Sequence, residues 1–244
     1  MLNATVPGLA AAPLRLLHLD ARIAVVDKPA GLLVHRTALD AHEDDNALDR
    51  LRAQTGRSWA PVHRLDKGTS GVLVFAADSD AARSLGAAFE AGQVGKRYLA
   101  LVRGWPAAQG VIDHALARDP ERPSAGQPTR PATTAWTRLA CLEWPFSVDG
   151  RHPSSRYALV QALPQTGRRH QIRRHFKHIA HPLVGDATHG KGPHNRAVAA
   201  WLGLQRLWLH AEALELPHPD DGRRLLLSAP PGPEWDALQP KRTA

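Results

Sequence analysis

Cysteine is nearly missing. Cys141 stands alone in 244 residues, which excludes an internal disulfide framework and leaves no thiolate cluster for a metal. Its expected place is the core, as a small apolar side chain. Long apolar runs are missing too: no stretch approaches the ~18 uninterrupted apolar residues of a membrane span. Pro7, Gly8 and Pro13 interrupt the N-terminus where a targeting segment needs a basic region followed by an apolar run. A soluble, cytoplasmic protein is expected. Aromatics are 5% of the chain, with two tyrosines, Tyr98 and Tyr157. Acidic residues are the minority charge, 23 against 31 Lys and Arg, for a net charge of +8 with fourteen His uncounted. That balance favours a polyanionic partner such as nucleic acid. The chain also lacks a Gly-x-x-x-x-Gly-Lys-Ser/Thr loop, a Gly-x-Gly-x-x-Gly after a strand, a Gly-x-Ser-x-Gly elbow and a His-Glu-x-x-His pair.

What is present is enough apolar residue, 43%, for a sizeable core. Residues 1–13 read as a flexible leader, 14–235 as one folded domain and 236–244 as a flexible tail. Ile23–Val26 is a short strand ended by a Pro/Gly turn, and Leu32–His35 resumes extended structure. A helical fragment covers Ala47–Gln54, and Val72–Ala76 is a buried strand. Asp78 or Ser79 caps a helix with Ala81, Leu85, Ala88 and Phe89 on one face, and Gly92 ends it. Lys96–Arg103 is a strand, and 105–150 reads as a long connection containing one or two more. Arg156–Leu163 is a strand and Arg168–Ala180 a helix stopped by His181-Pro182. A further helix spans about 196–204, and Leu207–Leu216 with Arg223–Leu227 forms a hairpin. Strands come in adjacent pairs as well as beside helices, so the fold class is α+β with a largely antiparallel sheet.

Two segments carry chemistry. Pro61-Val-His-Arg-Leu-Asp-Lys-Gly-Thr-Ser-Gly71 sets one carboxylate, Asp66, among basic neighbours just before a buried strand. A turn anchored by a rigid strand can hold a reactive group at a cleft edge; an Asp that merely caps the turn is the bland alternative. Residues 166–181 hold five Lys/Arg and no acid. On a helix, Ile172, Phe176 and Ile179 form an apolar stripe, and Arg169, Arg173 and Lys177 a ridge at i, i+4, i+8. Three like charges in line call for an anion: phosphate, with an internal carboxylate able to take one of the three. A metal held by His170, His175, His178 and His181 is disfavoured by the cationic neighbours and the spacing.

His63-Arg64-Leu65-Asp66-x-x-Thr69-Ser70-Gly71 closely resembles the signature of the RluA-type pseudouridine synthases. Lys28-Pro29-x-Gly31, Lys96-Arg97-Tyr98, and Thr166–Arg173 with His181-Pro-Leu-Val-Gly-Asp186 resemble three further motifs in order and spacing, over roughly residues 14–230. Leu33–Arg36 with Leu39-Asp40, Gly150–Tyr157, His189 and Gly203–Leu207 are similar to a tRNA-modifying branch. The resemblance implies a mixed, largely antiparallel sheet flanked by helices and loops around a central cleft. It implies isomerisation of a uridine in RNA, for this branch uridine 65 in the T stem of tRNA. Asp66 would be the essential carboxylate, Arg173 its partner, and Tyr98 would lie against the target base. Arg64 would fill the gap left by the flipped base. His63, Lys67, Lys28, Arg169 and Lys177 would contact RNA, with a structural role open for Lys28. No cofactor and no metal are expected, no S4-like RNA-binding domain, no membrane, and a monomer binding tRNA. Ribosomal RNA as substrate and a non-catalytic RNA-binding protein or chaperone remain the rivals. A carboxylate hydrolase would need a second acid opposite the first; Asp186 is on offer, with nothing in the sequence to fix its distance.

Overall fold

In the computed structural model, which describes residues 12–36, 43 and 45–238, the chain folds around one ten-stranded sheet. Strands β1 (Arg15–Leu19) and β2 (Ile23–Lys28) are followed by helix α1 (Ala47–Thr55), β3 (Ala60–Pro61), β4 (Ser70–Ala76), helix α2 (Ser79–Glu90) and β5 (Gly95–Arg103). The middle of the chain supplies β6 (Gln109–Asp113), the short pair β7 (Leu116–Ala117) and β8 (Thr129–Arg130), and the long strands β9 (Thr133–Trp144) and β10 (Ser155–Pro164). Helices α3 (Gln171–His178) and α4 (Gly192–Leu202) precede the hairpin β11 (Leu209–Pro217) and β12 (Arg224–Ser228), and a 3-10 helix covers Pro233–Leu238. None of these helices is long and apolar enough to cross a membrane.

Sheet order is β1-β2-β4-β11-β5-β10-β9-β6, with β12 beside β11 and β3 beside β4. All its pairings are antiparallel except β4 with β11, so the α+β, largely antiparallel expectation holds. The central strands read as unbroken apolar runs because both faces are covered. Leu73 and Phe75 of β4 pack with Ala47, Leu48 and Leu51 of α1. Val72, Val74 and Ala76 point the other way, onto Ala81, Leu85 and Ala88 of α2. Burial of each large side chain contributes ~1.5–3 kcal/mol. Asp78 caps α2 by accepting the Asp80 and Ala81 N–H groups. Farther along, Ala100 and Val102 of β5 meet Ile172 and Phe176 of α3, while Leu99 and Leu101 face Trp208 and Val198 of α4.

Several expectations are corrected. The 105–150 connection, expected to hold one or two strands, holds four, β6 to β9; in the longest of them Trp136, Leu142 and Trp144 alternate with exposed residues. Cys141 lies on that outer face and is exposed, not core. Leu32–His35 makes only an isolated bridge, Leu33 with Asn46; its carbonyls are taken by the N-terminus of α1, through Ala47 N–H to Leu33 and Leu48 N–H to Val34. Most of the leader and tail, and Leu39 and Asp40, lie outside the described residues. Leu238, assigned to the tail, is buried in the core beside Trp235.

At Gly71 the backbone has φ +109, and a Cβ there would sit 2.1 Å from the Ala211 carbonyl oxygen. The parallel β4–β11 contact depends on that missing methyl. Gly71→Ala is expected to lose at least ~3 kcal/mol of folding stability in urea unfolding, from clash and backbone strain together. Gly86→Ala, on α2 with nothing within 4 Å, is expected to gain ~0.5–1 kcal/mol.

Candidate active site

The strand neighbours β4, β11, β5 and β10 bring the chemistry-bearing segments to one place. Asp66 sits in the turn entering β4, Tyr98 on β5, and α3 follows β10; together they line a cleft of about 420 Å³. The Asp66 turn is tied from behind. Thr69 N–H donates to the Asp66 carbonyl at 2.9 Å, and Gly31 N–H to the Lys67 carbonyl at 2.8 Å. The Lys28 ammonium donates to the carbonyls of Pro29, Leu32 and Lys67 at 2.9, 2.7 and 3.1 Å. Lys28 is 0% exposed. Burial pushes its pKa down to about 7, with the charge of Asp66 opposing the shift. The RNA contact expected of Lys28 is therefore corrected: its three donors are spent inside, clamping two loops together.

Arg173 is the hinge of the site. Its Nη1 donates to Asp66 Oδ2 at 2.8 Å, while Nε and Nη2 fork onto Asp186 at 2.7 and 2.8 Å. Burial alone would lower the Arg173 pKa, but the two carboxylates outweigh it and hold the group above its ordinary value. Asp186 is buried, and its Oδ1 also accepts the Thr188 and His189 N–H groups at 2.9 Å. Burial would raise its pKa; the Arg173 bonds prevail and keep it below the usual carboxylate range. A buried ion pair of this kind is desolvated at a cost of several kcal/mol per ion, and stands only because every charge is matched. The Asp66–Asp186 relation that the sequence left open is thus fixed by one shared guanidinium.

The expected ridge is not formed. The Gln171 side chain accepts from the Thr166 hydroxyl at 2.7 Å and the Arg168 N–H at 2.9 Å, and His170 adopts a left-handed φ of 55, so the helix starts at Gln171 rather than Arg168. Arg169 lies ahead of the helix and pairs with Glu121 and, at 3.9 Å, Asp119. Arg173 points inward, and Lys177 alone of the three is exposed on the helix. The apolar stripe holds for Ile172 and Phe176, which are buried.

Tyr98 packs against two core clusters and lines the cleft. Burial, reinforced by the nearby Asp66 charge, raises its pKa, so the hydroxyl keeps its proton. Tyr157 is instead core: its hydroxyl is 2.9 Å from His194 Nδ1 and its ring tilts against Trp144. Arg64 is exposed at the cleft and makes no hydrogen bond or ion pair with the described residues. Lys67 is exposed and pairs with Glu43. His63 forms cleft wall: its Nε2 accepts the Val74 N–H at 3.1 Å, its ring stacks on Phe89, and burial pushes its pKa down to about 4. Two residues not singled out line the cleft: Lys96, whose pKa is lowered by burial and then by Arg168, and Thr69, whose buried hydroxyl has no hydrogen-bond partner among the described residues. Lys96 shares a strand face with Tyr98 by simple alternation, a signal that was legible. His170 lies 3.7 Å from Asp66 through Nε2 and 3.0 Å from His189 Nε2 through Nδ1. Burial lowers the pKa of both, that of His189 to about 4. His175 is committed to the Thr134 hydroxyl and the His114 carbonyl, and His181 to the Arg103 carbonyl. Among the described residues no group of three or more His, Cys, Asp or Glu is placed to hold a metal.

A carboxylate paired with a buried arginine beside a tyrosine, on a mixed sheet of this order, is an arrangement that comparison with known proteins can test. The chain belongs to the RNA pseudouridylate synthase family, whose model matches residues 22–178. Among individual proteins it is similar to tRNA pseudouridine synthase C of Yersinia pestis, with 42% identity over 230 residues covering 92% of this chain and 89% of that protein. The protein of the same name from Pectobacterium carotovorum subsp. carotovorum is 42% identical over 229 residues; the match covers 92% of this chain and 60% of that longer protein. The structure of human RNA Pseudouridylate Synthase Domain Containing 1 superposes with a TM-score of 0.71 at 26% identity, covering 93% of this chain and 86% of that one.

Lys28→Met takes a donor from the Pro29, Leu32 and Lys67 carbonyls, of which Lys67 keeps the Gly31 N–H, and is expected to cost about 2–4 kcal/mol of folding stability in denaturant unfolding while RNA affinity of the folded fraction stays unchanged. Full stability with weakened RNA binding would return Lys28 to the RNA interface.

Proposed function

We propose that this isomerase acts on tRNA, converting uridine 65 at the base of the T stem to pseudouridine, with Asp66 as the reacting carboxylate. The observation that carries the reading is the Arg173 bridge, which aims the Asp66 carboxylate into the cleft that Tyr98 also lines. The similarity to proteins named tRNA pseudouridine synthase C supports the choice of tRNA. The formal net charge of +8 suits a polyanionic substrate.

The reaction breaks the bond from ribose C1′ to uracil N1 and forms one from C1′ to C5. A proton leaves C5 and N1 gains one, so no net oxidation occurs. The uridine must leave its stack to be received in the cleft. Tyr98 stacks on the uracil, a contact worth ~1–3 kcal/mol. With its pKa raised by burial and Asp66, Tyr98 serves as a proton relay at C5 rather than as a standing phenolate base. Arg64, exposed at the cleft, occupies the gap left in the RNA. Lys67, Arg169 and Lys177 meet phosphates; for Arg169 and Lys67 this exchanges an existing surface ion pair for an RNA contact.

The test is incubation with tRNA transcripts followed by position mapping of pseudouridine. One conversion at the base of the T stem is expected, and conversion only in ribosomal RNA would overturn the substrate. Asp66→Asn should abolish conversion while leaving RNA affinity largely intact. Tyr98→Phe should slow conversion by about 10²–10⁴-fold with little change in binding; an unchanged rate would reduce Tyr98 to a stacking ring.

A further inference from the structure

The loop between α4 and β11 does not line the cleft, yet it touches both loops that present carboxylates to Arg173. On one side, Arg206 Nη2 donates to the Ser70 hydroxyl at 2.8 Å, and Ser70 ends the turn that carries Asp66. The same hydroxyl lies 2.9 Å from His210 Nδ1, whose Nε2 reaches the Ala229 carbonyl at 2.9 Å. Leu207 packs on Gly68 of that turn. On the other side, Gly185, which immediately precedes Asp186, has φ +78, and a Cβ there would stand 1.7 Å from the Arg206 carbonyl oxygen. Trp208 N–H donates to the Val184 carbonyl at 3.1 Å. The Arg206 head is itself fixed. Its Nη1 pairs with Glu234 in the 3-10 helix, and its guanidinium carbon lies 5.3 and 5.4 Å from the ring centres of Trp208 and Trp235.

We infer that Arg206 is a positioning residue for the reaction: wedged between the Asp66 turn and the Asp186 loop and locked by Glu234, it sets the separation across which Arg173 aims Asp66. The side chain is only 9% exposed. A filler at such a place is supplied more cheaply by an apolar residue, since a buried guanidinium must recover its desolvation cost. What the planar fork adds is direction, because it can hold Ser70 and Glu234 at once in fixed geometry. Displacement of a reacting group by about 1 Å costs on the order of 100-fold in rate, which is the scale on which a wedge of this kind acts. The inference rests on Asp66 being the reacting carboxylate.

Arg206→Met, Arg206→Lys, Ser70→Ala and Glu234→Gln are compared with the unaltered chain for single-turnover conversion of a tRNA transcript, for transcript affinity and for thermal midpoint. Arg206→Met is expected to lower the single-turnover rate by about 10–100-fold with affinity unchanged. Arg206→Lys, which keeps the charge and one donor, should recover part of the rate. Ser70→Ala combined with Arg206→Met should be no slower than Arg206→Met alone, since both cut one link. Folded variants that turn over like the unaltered chain, or that lose affinity in step with rate, overturn the proposal. If Arg206→Met does not fold, Ser70→Ala and Glu234→Gln are judged by the same criteria. Asp66→Asn is run alongside: full activity there removes the premise, whereas an inert Asp66→Asn beside fully active Arg206 variants overturns only the wedge.

Discussion

One guanidinium shared by two carboxylates organises this molecule. Arg173 is drawn out of water on the inner face of a helix, at a cost that neither carboxylate alone offsets. Asp186 takes the fork in two parallel bonds and Asp66 takes the remaining nitrogen. The division is unequal in a useful way. Asp186 is buried, doubly bonded and further saturated by two backbone N–H groups, so it is fixed and chemically quiet. The other Asp66 oxygen accepts no hydrogen bond from the described residues; His170 Nε2 lies 3.7 Å from it, too long for one. One carboxylate is sacrificed to hold the cation, and the cation then holds the other.

Around that centre burial works against charge on several of the ionisable side chains. Burial depresses His63, His170 and His189, and raises Tyr98. The Arg173–carboxylate pairs are themselves largely withdrawn from water, where their interaction is stronger than at the surface. The positive charge that suits RNA is carried in the cleft by Arg64, Lys96, Arg168 and Arg169.

Much of this was legible in the sequence, and the misses have physical causes. Both-face burial turns β4 into an uninterrupted apolar run, and Asp78 announces α2, so Asp66 could be put in the turn just before a buried strand from the sequence alone. Helical periodicity failed at Arg169 because a side-chain amide, Gln171, captured the turn ahead of the helix and stopped it early. Periodicity also cannot say which of three aligned cations faces inward; that was decided by two acids 107 and 13 residues away in the chain. For a similar reason the sequence could not decide between an RNA contact and the structural role it left open for Lys28. Lysine is almost never fully buried unless paired, and the three carbonyls that accept from it come partly from a loop 39 residues distant. Cys141 followed a rule of composition, while its real exposure follows the alternation of β9.

The single parallel pairing of the sheet has a kinetic meaning. Joining β4 to β11 brings Ser70 against His210, a separation of 140 residues, and no local hairpin can prepare such a contact. Its loop-closure entropy is met only when most of the intervening chain has already found its place. The hairpins and the helices on their faces rest on local contacts, whereas the carboxylate, its arginine and the wedge beneath them are joined across separations of 107, 136 and 140 residues. The active centre is therefore assembled from distant parts of the chain, and a chain still emerging from synthesis would carry every element of the sheet up to β10 before it held Arg173.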